Sequence, residues 1–359
     1  MKRMRVESEE LRVGEKAEQG KGNSTLHSPH STLYERGSFV KREEVKRITS
    51  IGGQALMEGI MMRGPLKSTI GVRKSDGSIE LEEIKPLDLV KKYKILRLPI
   101  LRGVANMIDS LVTGNKALMR SADKAMEGEE ISEEEMTKFD KWLDKHFGDK
   151  MVNVIMTISM IIAIVFCIGV FFFVPTWLFN LLSSAFPFLS EQIIWRSAFE
   201  GIIRIILFLA YMALCTLQKD VKRVFQYHGA EHKSIFCYEK GLELTVENVR
   251  KQIRFHPRCG TSFIVLMLIV GILIGLFIPF TDVLLRSSIK ILLLPVTVGI
   301  GYELIKLCAR HDNIITRIIA APGIWMQHLT TKEPQDDMIE VAIAAMKDVI
   351  PENGEDIIK

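Results

Sequence analysis

The sequence predicts a polytopic α-helical membrane protein of about four transmembrane helices, with a small N-terminal α+β cytoplasmic domain. Three observations carry that reading. Long apolar runs lie between residues 151 and 308 of the 359, and nearly all the charge lies outside them. Residues 68–84, STIGVRKSDGSIELEEI, alternate apolar and polar positions on both sides of Asp76-Gly77, the pattern of a half-buried hairpin. Lysine and arginine are absent from the loop 176–192 and crowded into the loop 218–261. That asymmetry orients membrane helices with the basic loop in the cytoplasm.

Residues 1–45 are rich in Lys, Glu, Gly and Ser and poor in large apolar side chains. They read as a disordered tail in which His27 and His30 are solvated. The first residues lack the apolar core of a secretory signal, so insertion is expected from the internal segments. Residues 46–150 form the cytoplasmic domain. Its stretch ITSIGGQALMEGIMMRGP (48–65) is punctuated by glycines that admit backbone conformations closed to other residues. Glu58 and Arg63 are its notable polar residues, with surface ion pairing weighed against a catalytic use. From 86 to 127, Leu98, Leu101, Val104, Ala105, Ile108, Leu111 and Val112 recur at helical spacing. That apolar face is expected to pack on the β unit or to rest on the membrane. Ser132 and Glu135 make a capping-box pair for a helix through Trp142.

Two spans are expected within 151–217, at 151–175 and 193–217, and two within 262–308, at 262–285 and 289–308. Both termini are then cytoplasmic, and Trp177 and Trp195 bracket the short external loop. The second span carries Arg196, Glu200 and Arg204 at intervals of four, on one helical face. Charges within a membrane pair and face the bundle interior. This constellation is either an ion-paired seam or, through Glu200 and Arg204, a polar cavity for a lipid headgroup or other anion. The tail 309–359 holds an apolar stretch broken by Pro322 and Gly323, expected to be interfacial or re-entrant. A terminal helix follows Pro334, opened by Asp336 and Asp337.

Five cysteines, three of them in apolar runs, make no disulfide framework and point to a reducing compartment. A net charge of +4, dispersed along the chain, argues against nucleic acid as a partner.

The loop 218–261 concentrates the chemistry. In Tyr227-His228-Gly229-Ala230-Glu231-His232-Lys233 the two histidines lie one helical turn apart, with a glutamate just before the second. This is the H-x-x-E-H pattern, in which His228 and His232 can hold a divalent ion and Glu231 can act as a base on bound water. His256 and Cys259 stand three residues apart in a Pro/Gly turn, and imidazole and thiolate both suit zinc. Two ligand sets are open. His228, His232, His256 and Cys259 would make a closed structural site. His228, His232 and a carboxylate, naturally Glu303 near the cytoplasmic end of the last span, would leave a position for water. Lys306 competes for Glu303, and His311, Asp312 and His328 are lesser candidates.

Four stretches, GGQALMEGIMMRGP (52–65), YHGAEHK (227–233), HPRCGTSF (256–263) and APGIWMQHLTTKEP (321–334), resemble the YqhQ-like bacterial membrane proteins. The resemblance spans roughly residues 46 to 350. It implies a multi-pass protein of the bacterial cytoplasmic membrane and a predicted metal-dependent enzyme of unassigned reaction. The expectation is a metal-dependent hydrolase, zinc being the expected ion, acting at the cytoplasmic face on a lipid-linked or membrane-proximal substrate. Against it stand a scaffold or assembly factor held by a structural zinc clasp, and a small transporter using the charges of the second span. Membrane lipids are the expected partners, and a homo-oligomer would supply the further helices a transporter needs.

Overall fold

The computed structural model describes residues 46–125, 151–189, 193–311 and 313–358. The tail with His27 and His30, the Ser132/Glu135 capping pair with Trp142, and Asp312 lie outside the described residues.

Four strands form an antiparallel meander in the order β1 (Gly52–Leu56), β2 (Gly59–Arg63), β3 (Ser68–Arg73) and β4 (Ile79–Ile84). The β3–β4 hairpin is the one the alternation predicts. Gly77 takes φ +84° in its turn, and the Asp76 carboxylate accepts the Ser78 N–H. The β1–β2 hairpin is not marked by alternation, because its glycines interrupt the period of two. Glu58 sits in its turn at φ +47°, a conformation costly for a side chain with a Cβ.

One helical turn (Leu89–Lys92) and a 3₁₀ turn (Lys94–Arg97) precede α1 (Leu101–Ala125). The helix predicted over 86–127 therefore begins later. α1 buries small and polar residues, among them Gly103, Ala105, Thr113 and Ala117, and exposes Leu101, Ile108, Leu111 and Val112, so of the two placements expected for these large apolar residues, packing on the β unit is not the one seen.

α2 (Met151–Ile168) runs through a π-turn (Gly169–Phe173) into α3 (Val174–Ala185), and α4 is Ile193–Cys215. Then follow α5 (Lys219–Glu239), the short α6 (Val246–Arg250), α7 (Gly260–Gly275), α8 (Val283–Leu292), α9 (Leu294–Arg310), α10 (Ile314–Thr330) and α11 (Asp336–Val349). Among the described residues two helices, Thr157–Ala185 and Ile193–Cys215, are long and apolar enough to cross a membrane. A third is added if α8 and α9, bent by 47°, count as one. The predicted third segment, 262–285, is thus shorter as a helix: α7 has sixteen residues and stops at Gly275. The next helix starts where the Asp282 carboxylate accepts the Leu285 N–H, a capping signal inside the apolar run. The predicted fourth segment gains α8 and bends just before Pro295, whose missing N–H breaks the ladder.

The sheet is buried on both faces. Ile60 and Met62 of β2 meet Tyr227 and Ala230 of α5 and Met338, Ala342, Ala345 and Met346 of α11. Met61, Ile70 and Val72 point the other way, onto Ala117 of α1. Each such side chain contributes roughly 1.5–3 kcal/mol on burial. α1 also touches α9, where Gly103 lies against Tyr302 and Gly299. The sheet is thereby fixed to the apolar helices at the end where α5 begins its turn of histidines.

Candidate metal centre

α5 carries a glycine in its interior, which costs about 1 kcal/mol relative to alanine. The reason is a close approach: a Cβ on Gly229 would lie 2.0 Å from the Lys332 carbonyl oxygen. The extended segment after α10 presses against α5 there, and the Lys332 N–H donates to Phe225 O at 2.8 Å. This contact delivers the Thr330 carbonyl to His228, whose Nδ1 lies 2.8 Å from it. A carbonyl only accepts, so Nδ1 bears a proton and Nε2 is the nitrogen turned to the cluster. His232 is held the same way, its Nδ1 against Arg254 O. The two rings stand 4.4 Å apart.

Cys259 completes the cluster. It caps α7, its Sγ accepting the Thr261 N–H at 3.4 Å, and it lies 3.1 Å from His228 Nε2. Donor atoms of His228, His232 and Cys259 all fall within 4.8 Å of one another. His232 and Cys259 are buried and His228 is half-buried. The Nε2 of His232 is a buried polar atom without a hydrogen-bond partner among the described residues. Burial drives the His232 imidazole down to about 4, against the opposing pull of the Cys259 sulfur. Burial raises the Cys259 thiol, but His232 and Thr261 outweigh it and hold the thiol below its ordinary range. Glu231 is 5% exposed, and burial pushes its carboxyl up to about 7 against the opposing pull of His228 and the Gly53 N–H. That carboxyl abuts β1: a Cβ on Gly53 would lie 2.9 Å from Glu231 Cδ.

His256 stands beside the cluster with its nitrogens engaged. Its Nδ1 accepts the Arg258 N–H at 3.3 Å, and its Nε2 is 3.7 Å from Glu239. Its backbone is clamped by Gln327, fully buried, which accepts the His256 N–H and donates to the His256 carbonyl, both at 2.7 Å. Glu303 lies away from the cluster, gripped by both arms of Arg102. Three members of the first ligand set read from the sequence, His228, His232 and Cys259, converge; the ring of the fourth, His256, stands 5.5 Å from that of His232, while Glu303 is engaged by Arg102. Glu58 and Arg63 are ion-paired, though not to each other. Arg223 grips Glu58, and Arg63 binds Asp109 at 2.6 Å and Asp88 at 3.4 Å. His328 stacks on Phe255, and His311 caps α9.

A cleft of about 1000 Å³ opens between the sheet and α1. Gly53 and Gly260 line it, and these neighbour Glu231 in space and Cys259 in sequence. His228, Glu231, His232 and Cys259 themselves are not among the residues that line it.

Residues 98–352 match the family described as Protein of unknown function (DUF1385). The chain is 35% identical over 300 residues to Uncharacterized protein YqhQ of Bacillus subtilis (strain 168), a match covering 83% of this chain and 92% of that one. The chain belongs to this YqhQ-like, DUF1385 family. No solved structure matches it significantly. The family's description assigns no activity, so ancestry is fixed and activity has to be argued from the site.

In this DUF1385 member the second-span constellation is larger than its sequence spacing indicates. Glu200 is bound by Arg286, at 3.0 Å, and by Lys290, both from α8. Arg286 is fully buried and also donates to Ser197 and to the Gly275 carbonyl. Arg196 reaches Asn180 at 2.8 Å, and Arg204 reaches the Phe171 carbonyl at 2.8 Å. Sequence reasoning missed Arg286, Lys290 and Gln327. The first two carry a usable signal, being charges four residues apart in an apolar run. Gln327, a polar residue in a helix of apolar ones, carries almost none.

Proposed function

We propose that the protein is a metal-dependent hydrolase of the bacterial cytoplasmic membrane, acting at the cytoplasmic face on a lipid-linked or membrane-proximal substrate. The observation that carries the reading is the convergence of His228, His232 and Cys259 donor atoms within 4.8 Å. The residues fit a metal: two imidazoles anchored through Nδ1, the buried Nε2 of His232 without a hydrogen-bond partner among the described residues, and a thiol beside the rings. That donor set suits zinc, and three protein ligands are typical of sites that keep a position open. His228, His232 and Cys259 would hold the ion, and a bound zinc supplies Lewis acidity and an acidified water. The Thr330 and Arg254 carbonyls orient the two rings. Glu231, on the same helix, would accept a proton from the attacking water. The cleft between sheet and α1 is the space for the substrate.

Membrane insertion through four crossings is supported by how the helix ends meet. Asn180 and Arg196, at one end of α3 and α4, both donate to Thr281 O in the loop after α7. That loop therefore lies beside the external loop, and the histidine-bearing α5 lies at the opposite end. α7 and the bent α8–α9 pair then cross the same thickness as α4. α7 is about 24 Å long, short of a core of about 30 Å, and residues 276–279 would complete its path. The basic loop 218–261 assigns the α5 end, and with it both termini, to the cytoplasm.

A structural clasp is the second reading, favoured by the burial of His232 and Cys259 and by the number of segments the cluster joins. Zinc content of the full-length protein in nonionic detergent tests both. About one zinc per chain is expected, lost in His232→Ala and Cys259→Ser. A folded wild type without metal overturns both readings. Hydrolysis of a panel of lipid-linked esters and phosphodiesters then separates them: Glu231→Gln should keep its zinc and lose turnover. Unchanged turnover in that variant removes Glu231 as the base.

A further inference from the structure

The apolar helices line a second cavity, with none of His228, His232 and Cys259 in its wall. It measures about 470 Å³, within the range of small-ligand pockets, roughly 300–1,000 Å³. Its walls come from α2, the π-turn, α4, α7 and the α8–α9 pair, and are apolar except for Arg204, Lys290 and Thr297. Met160 and Ile164, which line it, are about half exposed on the outside of the helices, so its mouth opens on the apolar exterior.

The charges at this wall do not balance. Among the described residues of the cluster, Arg196, Arg204, Arg286 and Lys290 surround the single carboxylate of Glu200, which Arg286 and Lys290 already occupy. Arg204 lies over the Phe172 ring at 5.7 Å, with one guanidinium nitrogen on the Phe171 carbonyl and another, buried, without a hydrogen-bond partner among the described residues. The residue is 8% exposed. A buried cation left half-satisfied is costly, and it calls for one acceptor bearing negative charge. A carboxylate matches the fork of a guanidinium. Arg204 lies eleven residues from either end of α4, too deep for the headgroup of a bilayer phospholipid. The rest of the cavity's lining, from Phe171 to Met160 on the α2 side and from Ile264 to Ile274 on α7, is apolar.

We propose that this cavity binds a long-chain carboxylate of the fatty-acid class, its head on Arg204 beside Lys290 and its chain along the apolar lining. The site is independent of the metal reading and rests on the membrane embedding of α2 and α4. Native mass spectrometry of delipidated full-length protein in nonionic detergent provides the test, with palmitate, 1-hexadecanol and acetate as probes. Palmitate should bind one to a chain, about tenfold or more tighter than 1-hexadecanol, and acetate should not bind at the same concentration. Arg204→Gln should abolish the preference for palmitate. Gly271→Leu, at a position with open space toward Thr297, should fill the cavity and remove both long-chain ligands; Ala163→Leu provides the same test from the opposite wall. Equal binding of palmitate and the alcohol to the wild type, or a preference unchanged in folded Arg204→Gln, overturns the proposal. Release of the protein from membranes by carbonate would instead overturn the embedding it rests on.

Discussion

Gly229 and Glu239 show how single residues hold the histidine cluster in place. At Gly229 there is no room for a methyl group, because the Lys332 carbonyl occupies its position. Gly229→Ala should destabilise the protein by about 1–3 kcal/mol and lower its zinc content, since the Thr330 carbonyl would be pushed off His228; thermal unfolding and elemental analysis read the two effects. Glu239 is buried, yet it takes Arg258, the His256 ring and the Thr49 N–H. Burial raises its carboxyl, and these partners outweigh burial, so it stays below the ordinary carboxylate range. A depressed pKa contributes stability that is full above the unfolded value, about 4.3, and is lost as pH falls through the folded value. Glu239→Gln should therefore cost about 3 kcal/mol near pH 7. In melts taken at pH 7 and near pH 4, the gap between variant and wild type should narrow in acid.

At the scale of elements, α11 holds the sheet domain together. It places Met338, Ile339, Val341, Ala342, Ala345, Met346 and Val349 against the β2–β3 surface and α5. Met346→Ala should cost about 2–5 kcal/mol, seen as a lowered melting midpoint, whereas truncation of the exposed Leu111 on α1 should cost far less. α10 is a continuous helix through Pro322. Its buried side carries Gly323 tight against Ser262, and Gln327 on the His256 turn. Its other side exposes Ile314, Ile315, Ile318 and Trp325. That division fits a helix lying in the membrane interface.

For the whole molecule, the sheet, α5 and α11 form one body at the cytoplasmic end proposed for the helices, and the histidine cluster lies at the seam. The orientation has a direct measurement. A fluorescent protein fused after residue 358 should fluoresce, and alkaline phosphatase fused there should be inactive. Phosphatase inserted in the loop 186–192 should be active. The reverse pattern would place the cluster on the external face and remove the proposed cytoplasmic substrate.

Periodicity and charge determined much of this protein without any coordinates. The apolar runs at 151–175 and 193–217, the Asp76-Gly77 hairpin, the terminal helix and the one-turn spacing of His228 and His232 all rest on local spacing, which a chain displays in its sequence. Only the tertiary structure decided which third group joins the histidines. The sequence left open a set with His256 and Cys259 and a set with Glu303. Gln327 and Glu239 hold His256, Arg102 holds Glu303, and His228 meets Cys259, through contacts 71, 17, 201 and 31 residues apart in sequence. The same holds for α1, whose large apolar residues face outward because its small ones permit close packing on the sheet and α9. A pattern records that a face is apolar; what covers that face depends on where the rest of the chain returns.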